Sequence, residues 1–386
     1  MKKYLWSFAL SAIVLAGCGK KEELPAPVAA PVASAPATAP VNTEEKVLNI
    51  YNWADYIPDG MIATFEKETG IKVNYDSFET NEALHAKLVA GNSGYDIVVP
   101  GSVFAKPQIE GGLLQALDKS KIPNLSNLDT PMMATLAKYT DPDNKHLVPW
   151  AWGFTTVGIN KNKVAKALGE TPMPENAWDL VFKPEYTSKL KSCGIAYLDS
   201  PTEIIPVALH YIGKDAYSND PADYKLATDM LAKVRKDVRI FSSTMIDDIA
   251  GGKACVAIGW SGDINLAADR AKENQSKDEI EAMLPNTGAL IFFDTIAITK
   301  DARHPNNAHA FIDFYLRPEN AALMANEMNY PTANKAAMHL VNPEIAANKT
   351  IFVESDYLAK MIPPSSFSNE AREAMANAYN SFKKGK

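Results

Sequence analysis

Along the first part of the folded chain, runs of β-forming residues alternate with segments whose hydrophobic residues recur at helical spacing. β-forming residues around 47–51 are followed by Pro58-Asp59, and then by apolar residues at helical spacing up to Gly70. The predicted elements are a strand at 47–51, a helix at 60–69, a strand at 71–75, a helix at 81–90 and an apolar strand at 95–100. This order predicts a doubly wound α/β fold.

The rest of the chain carries the same mixture of periods. The segment 148–160 is apolar and β-rich, has no helical period, and is interpreted as the crossover into a second domain. Further strands are predicted at 193–197, 288–293 and 295–299, and the segment 251–260 is predicted as a turn followed by a buried strand. Further helices are predicted after Pro201 and at 223–234, 264–274, 307–316, 319–326 and 370–382. No internal repeat interrupts this pattern.

Aromatic rings and acids stand together where three predicted strands end. These groups are Trp53/Asp55/Tyr56, Trp260/Asp263 and Phe292/Phe293/Asp294. Ligands bind at the carboxyl ends of strands in open α/β sheets, and rings with carboxylates suit an organic cation. Each group also has a structural alternative, because an acid after a strand often caps the next helix and a ring often fills the core. Glu203 at a helix start and Tyr330 in a loop are open to the same alternatives.

Composition and motifs argue against several other functions. The 386 residues are 46% hydrophobic and 22% charged, and the net charge of −7 provides no basic field for nucleic acid. We find no nucleophile elbow, zinc-protease motif, phosphate-binding loop or dinucleotide fingerprint, and no metal-ligand spacing. We therefore expect a protein that is not an enzyme and needs no cofactor or metal. A glycosidase-like carboxylate pair remains as an alternative.

The N-terminus has the features of a lipoprotein leader. Lys2-Lys3 precede an apolar stretch that is too short to span a membrane, and Leu15-Ala16-Gly17-Cys18 resembles the bacterial lipobox. We expect a signal peptide over 1–17, a lipidated Cys18 and a Pro/Ala-rich linker over 18–45. A plain secretory signal with a chance cysteine is the alternative. The expected location is the periplasm, on a membrane of the cell envelope that the sequence does not specify.

Two cysteines remain after Cys18 is assigned to the lipid. In an oxidising compartment, an isolated pair of Cys193 and Cys255 suggests one disulfide closing a long loop. Two free, buried thiols are the alternative at this stage.

From about Val47 to Lys386 the chain resembles the periplasmic polyamine-binding proteins of ABC transporters. The matching segments include Tyr51-Asn52-Trp53-Ala54-Asp55-Tyr56, Leu117-Asp118-Lys119-Ser120-Lys121, Val256-Ala257-Ile258-Gly259-Trp260 and Asn334-Lys335-Ala336-Ala337. The resemblance implies a type II periplasmic binding protein, with two α/β lobes joined by hinge crossovers. The expected lobes are 46–149 plus about 280–318, and about 150–279 plus 319–386.

The resemblance also implies roles for individual residues. The rings of Trp53, Tyr56, Trp260, Phe292 and Tyr330 would sandwich the ligand's methylene chain, and Asp55, Glu203, Asp263 and Asp294 would bind its ammonium groups. Ala54 and Gly101 stand where the family's putrescine-binding members have serine, and Ser102 is a candidate substitute. These departures leave putrescine, spermidine, cadaverine and agmatine open as ligands.

The resemblance implies a monomer that hands a polyamine to the permease subunits of an ABC transporter and touches the membrane through its lipid alone. Putrescine is the first expected ligand and spermidine the second. The alternative function is a polyamine-sensing subunit of a membrane signalling receptor, which would have the same binding site.

Overall fold

The computed structural model describes residues 44–385, and the leader, Cys18 and most of the predicted linker lie outside this range. The described strands are β1 Val47–Trp53, β2 Lys72–Phe78, β3 Ile97–Val98, β4 Leu147–Asn160, β5 Ile195–Tyr197, β6 Ile240–Phe241, β7 Val256–Trp260, β8 Ile280–Ala282 and β9 Leu290–Ile298. No helix among these residues is both long and apolar enough to cross a membrane.

Helices surround the strands along the whole described chain. They are α1 Met61–Thr69, α2 Asn81–Ala90, α3 Ser102–Glu110, α4 Thr130–Tyr139, α5 Lys161–Leu168, α6 Asp179–Phe182, α7 Pro184–Leu190, α8 Pro201–Tyr211, α9 Pro221–Ala232, α10 Met245–Ala250, α11 Ser261–Glu273, α12 Pro305–Tyr315, α13 Pro318–Met328, α14 Pro343–Ala346, α15 Ser355–Leu358 and α16 Asn369–Lys383. Short 3₁₀ turns cover Lys119–Lys121, Pro123–Asn127, Pro142–Asn144, Arg235–Asp237 and Lys335–Leu340.

The strands form one mixed sheet in the order β2-β1-β3-β9-β4-β7-β5-β6, and β8 pairs with β4. The triplet β2, β1 and β3 is parallel, and so is the triplet β7, β5 and β6. Antiparallel β4 and β9 join the two triplets. The predicted α/β class is confirmed.

Two large apolar cores flank this sheet. The first core packs β1, β3 and α1 against α12, with Leu48, Phe65 and Phe311 at its centre. The second core packs β5, β7 and α8 against α16, with Tyr197 and Tyr379 at its centre. Both β4 and β9 contribute residues to both cores, so these two strands connect the two packed regions.

The structure contains the expected disulfide between Cys193 and Cys255, whose Cα atoms are 5.4 Å apart. It links the chain just before β5 to the chain just before β7, and these strands pair in parallel. Gly194 between them has φ of 100°, and a Cβ there would lie 2.4 Å from the carbonyl oxygen of Lys253. Position 194, directly after Cys193 of the disulfide, therefore requires a glycine.

One predicted strand break is wrong. We expected a strand to end before Asp294 and a second to begin at Thr295, because Asp is unfavourable inside a strand. Instead β9 runs without interruption through Asp294, which pairs with Ala151 of β4 and forms an isolated bridge to Gly101. Pairing on both sides overrides the local preference, and Asp294 therefore lies in mid-strand. The predicted strand over 95–100 is also shorter, reduced to Ile97–Val98.

Candidate functional site

A single cleft brings together all of the residues predicted to contact a ligand. It holds about 1000 Å³ of space, counted with its open mouth. The predicted residues on its wall are Trp53, Ala54, Asp55, Tyr56, Gly101, Ser102, Glu203, Trp260, Asp263, Phe292, Asp294 and Tyr330. Residues from the ends of β1 and β7 thus meet residues from the middle of β9.

The end of β1 and the turn after it place two aromatic rings in the wall of the cleft. The strand ends at Trp53, whose indole nitrogen donates to the carbonyl of Val99 at 2.9 Å. Asp55 then takes a left-handed conformation with φ of 51°, and the Asn52 side chain donates to the carbonyl of Tyr56 at 3.1 Å. The chain is thereby folded back so that the Tyr56 ring is buried.

Two tyrosines hold two carboxylates at one end of the cleft. The Tyr56 hydroxyl donates to Asp294 at 3.0 Å, and the Tyr330 hydroxyl donates to Asp263 at 2.6 Å. Asp263 lies in the first turn of α11, which begins at Ser261 after an N-cap at Trp260, so the alternative of Asp263 as an N-cap is wrong. Both carboxylates keep further lone pairs for a ligand.

Burial changes the acidity of these groups. Loss of water around Asp294, which is only 7% exposed, raises its pKa to about 8, and the nearby charges of Glu203 and Asp263 act in the same direction. Burial likewise raises the pKa of Asp263 to about 6, although Tyr330 and Arg270 partly oppose the change. In an empty cleft near neutral pH, Asp294 therefore retains its proton, whereas Asp263 is mostly ionised.

Glu203 supplies a third carboxylate from the first turn of α8. The Thr155 hydroxyl on β4 donates to it at 2.7 Å. Burial raises the pKa of Glu203 to about 7, while hydrogen bonds from Thr155 and Trp260 act against this rise. In the described part of the chain, none of the ion pairs involves Glu203, Asp263 or Asp294.

Aromatic rings surround these acids. The ring centres of Trp53 and Trp260 are 5.9 Å apart, and those of Tyr56 and Tyr330 are 4.9 Å apart in edge-to-face contact. Phe292 lies 6.3 Å from Tyr330. Gly262 makes room for the Tyr330 ring, because a Cβ at this position would lie 2.3 Å from two ring carbons. Ring faces and carboxylates together favour a cation with an apolar body.

The mouth of the cleft holds a different set of charges. Arg270 of α11 lies 3.4 Å from Asp55 and 3.1 Å from Asp247, and both of these acids are mostly exposed. Asp55 is thus at the cleft, as expected, but its carboxylate is paired with a protein cation. Sequence reasoning missed Arg270 and Asp247, because neither stands at a strand end and α10 was not predicted.

The position of Gly101 has a local explanation. Its N–H donates to the Asn81 side chain at 2.9 Å, and a Cβ at residue 101 would lie 2.8 Å from the Asn81 amide nitrogen. Asn81 also lines the cleft, so its amide occupies the space beside Gly101. Ser102 accepts the backbone N–H of Phe293 at 3.3 Å, while Ala54 lies exposed in the turn after β1.

The described residues contain no cluster of three or more His, Cys, Asp or Glu side chains arranged to hold a metal ion. Asp294, Asp263 and Glu203 each accept a hydrogen bond from a tyrosine or threonine hydroxyl. What this arrangement can do chemically is bind positive charge at more than one point, with rings between the points.

Comparison with known proteins agrees with this chemistry. Residues 60–353 match the family model of bacterial extracellular solute-binding proteins. The chain is 46% identical to the putrescine-binding periplasmic protein PotF of Escherichia coli K12 over 320 residues, covering 82% of this chain and 86% of that protein. It is 44% identical over 344 residues to the putrescine-binding periplasmic protein SpuD of Pseudomonas aeruginosa, covering 89% and 93%.

A solved structure extends the comparison to the fold. The spermidine/putrescine ABC transporter substrate-binding protein PotD of Streptococcus pneumoniae aligns with a TM-score of 0.70 at 26% identity, covering 88% of this chain and 99% of that one. The sequence comparison and the fold comparison therefore agree on the family. The chain belongs to the bacterial extracellular solute-binding protein family, with the α/β fold of its periplasmic members.

Proposed function

We propose that this protein captures a polyamine in the cleft, putrescine first and spermidine next, and delivers it to an ABC permease. The observation that carries the proposal is the set of three acids, Glu203, Asp263 and Asp294, which line a ring-walled cleft and form no ion pair with another residue of 44–385. Burying an ammonium group is costly unless a carboxylate pairs with it. The acids meet that requirement, and each ring face adds about 0.5–2 kcal/mol.

The names of the relatives support the same ligand class. Two proteins more than 40% identical to this chain are named for putrescine binding, and more distant relatives are named for spermidine and putrescine. They are named for binding and not for catalysis, and we propose that this protein is likewise not an enzyme. The Streptococcus pneumoniae protein of similar fold is named as the substrate-binding protein of an ABC transporter, which supports a permease as the partner.

We further propose that the chain closes as two lobes around the ligand. The two apolar cores support the division, and β4 and β9, which run from one core to the other, are the hinge crossovers. Met324, Tyr330 and Ala333 pack in the first core, so we place residues 319–333 with the first lobe and leave the C-terminal helix α16 with the second. We propose that the protein acts as a monomer in the periplasm, anchored by lipid at Cys18.

Isothermal titration calorimetry of the mature domain tests the ligand. The domain is unfolded and refolded to remove any bound amine, and is then titrated with putrescine and with spermidine. 1,4-Butanediol is the control, because it has the carbon chain of putrescine without its charges. We expect micromolar or tighter binding of a polyamine and none of the diol. Folded protein that binds neither amine would overturn the proposal.

A further inference from the structure

Four hydroxyl groups in or beside the cleft wall share one feature, which is that each donates a hydrogen bond to a carboxylate. The pairs are Tyr56 to Asp294, Tyr330 to Asp263, Thr155 to Glu203 at 2.7 Å and Thr202 to Glu82 at 2.9 Å. A hydroxyl has one proton and two lone pairs, so a committed hydroxyl offers only lone pairs to other groups. At these four positions the wall suits a ligand group that donates hydrogen bonds and accepts none.

Thr202 differs from the other three because its carboxylate partner lies outside the cleft lining. Its own side chain lines the cleft, directly before Glu203 in the first turn of α8. The Ser200 hydroxyl lies 3.1 Å from the Thr202 oxygen. Since the proton of Thr202 goes to Glu82, Ser200 is the donor of that contact, and one lone pair of Thr202 remains. An ammonium group has three donors and can use it.

Glu82 is placed to accept the hydrogen bond of the Thr202 hydroxyl. It stands in the first turn of α2, and one of its oxygens accepts from Thr202. The other oxygen is buried and has no hydrogen-bond partner within residues 44–385. The charge of Glu82 reaches the cleft, since it contributes to the raised pKa of Glu203.

We propose that Thr202 is an additional acceptor for the cationic group bound at Glu203, and that Glu82 is the residue that positions the Thr202 hydroxyl for this role. The inference rests on the proposed polyamine binding. In this arrangement, one ammonium group of the ligand contacts the neutral oxygen of Thr202 beside the carboxylate of Glu203. Without Glu82, the hydroxyl proton of Thr202 would be free to turn toward the ammonium and oppose it.

Putrescine affinity of four variants tests this inference by calorimetry. Thr202→Val removes the hydroxyl at nearly constant shape, Thr202→Ser retains it, and Glu82→Met removes the proton acceptor. A hydrogen bond to a charged group is worth enough that we expect about tenfold weaker binding for Thr202→Val and for Glu82→Met. Thr202→Ser should stay within about twofold of the parent. The double variant should bind no more weakly than Thr202→Val alone.

Thr228→Val is the control, because the Thr228 hydroxyl donates to the backbone carbonyls of Tyr224 and Lys225 in its own helix α9 and Thr228 does not line the cleft. Parent protein that binds putrescine while Thr202→Val binds equally well would overturn this inference and leave the proposed function intact. Losses that multiply in the double variant would overturn the positioning role of Glu82. Parent protein that binds no polyamine would overturn the proposed function itself. If Glu82→Met does not fold, the contrast between valine and serine at position 202 decides the role of the hydroxyl.

Discussion

The acids of the cleft fall into two groups that differ in what neutralises them. The inner acids, Glu203, Asp263 and Asp294, are held by threonine and tyrosine hydroxyls and have raised pKa values because they are removed from water. The rim acids, Asp55 and Asp247, are more than 60% exposed and share the guanidinium of Arg270. A hydroxyl orients a carboxylate without cancelling its charge, whereas an arginine cancels it. The inner group is therefore available to a cationic ligand, and the rim group is already paired.

The largest effect should come from removing an inner charge. Asp294→Asn would leave one ammonium of the ligand unpaired in a buried site. Loss of one partner of such a pair costs about 2–5 kcal/mol, which is about 30-fold or more in affinity. Calorimetry with putrescine measures this loss. Asp247→Asn makes the same chemical change at the rim, and we expect it to stay within about threefold. Equal losses for the two variants would remove the distinction between the groups.

The sequence predicted the inner acids and rings of the cleft, but not the residues that form hydrogen bonds or ion pairs with the cleft residues. Trp53 and Trp260 could be predicted as site residues, because each ends a strand that the local sequence pattern reveals. Asp294 was found through its ring neighbours, although its strand was wrongly divided, because only tertiary pairing shows that β9 continues through it. Thr155, Glu82 and Arg270 were missed, since each contacts a cleft residue 48 or more positions away in the chain. Local patterns predict the elements of this fold, while hydroxyl and ion-pair partners depend on how those elements pack.

A pH series should separate the empty cleft from the occupied one. Inner acids with pKa values of about 6, 7 and 8 bind protons in the folded state that they release on unfolding. Their contribution to the free energy of unfolding is therefore fully present below the ordinary carboxyl pKa of about 4, and it is lost progressively as the pH rises to and through the folded-state values of about 6, 7 and 8. A polyamine binds the ionised acids, so its affinity should rise over the same window, by about tenfold per pH unit for each proton displaced.

Thermal unfolding at pH 5.5, 7 and 8.5, with and without putrescine, measures both trends. We expect the stabilisation by putrescine to increase with pH, while the amines, with pKa values near that of lysine at about 10, stay charged. Asp294→Asn is the control, because it removes the highest of the three pKa values and should flatten the change above pH 7. Ligand stabilisation that does not vary between pH 5.5 and 8.5 would contradict protonation of the inner acids.

The smallest effect is expected at the rim. Exposed ion pairs contribute about 0–1 kcal/mol, so Arg270→Gln should change putrescine affinity by less than about threefold. Its direction is informative, because freeing Asp55 and Asp247 adds negative potential at the mouth and should strengthen binding slightly at low salt. That gain should vanish at high salt, since the screening length for exposed charges is about 10 Å at 0.1 M and about 3 Å at 1 M. A loss above tenfold at both salt concentrations would show instead that Arg270 holds the walls of the cleft together. The rim would then act on the geometry of the site, and its acids would belong to the binding machinery as fully as the inner three.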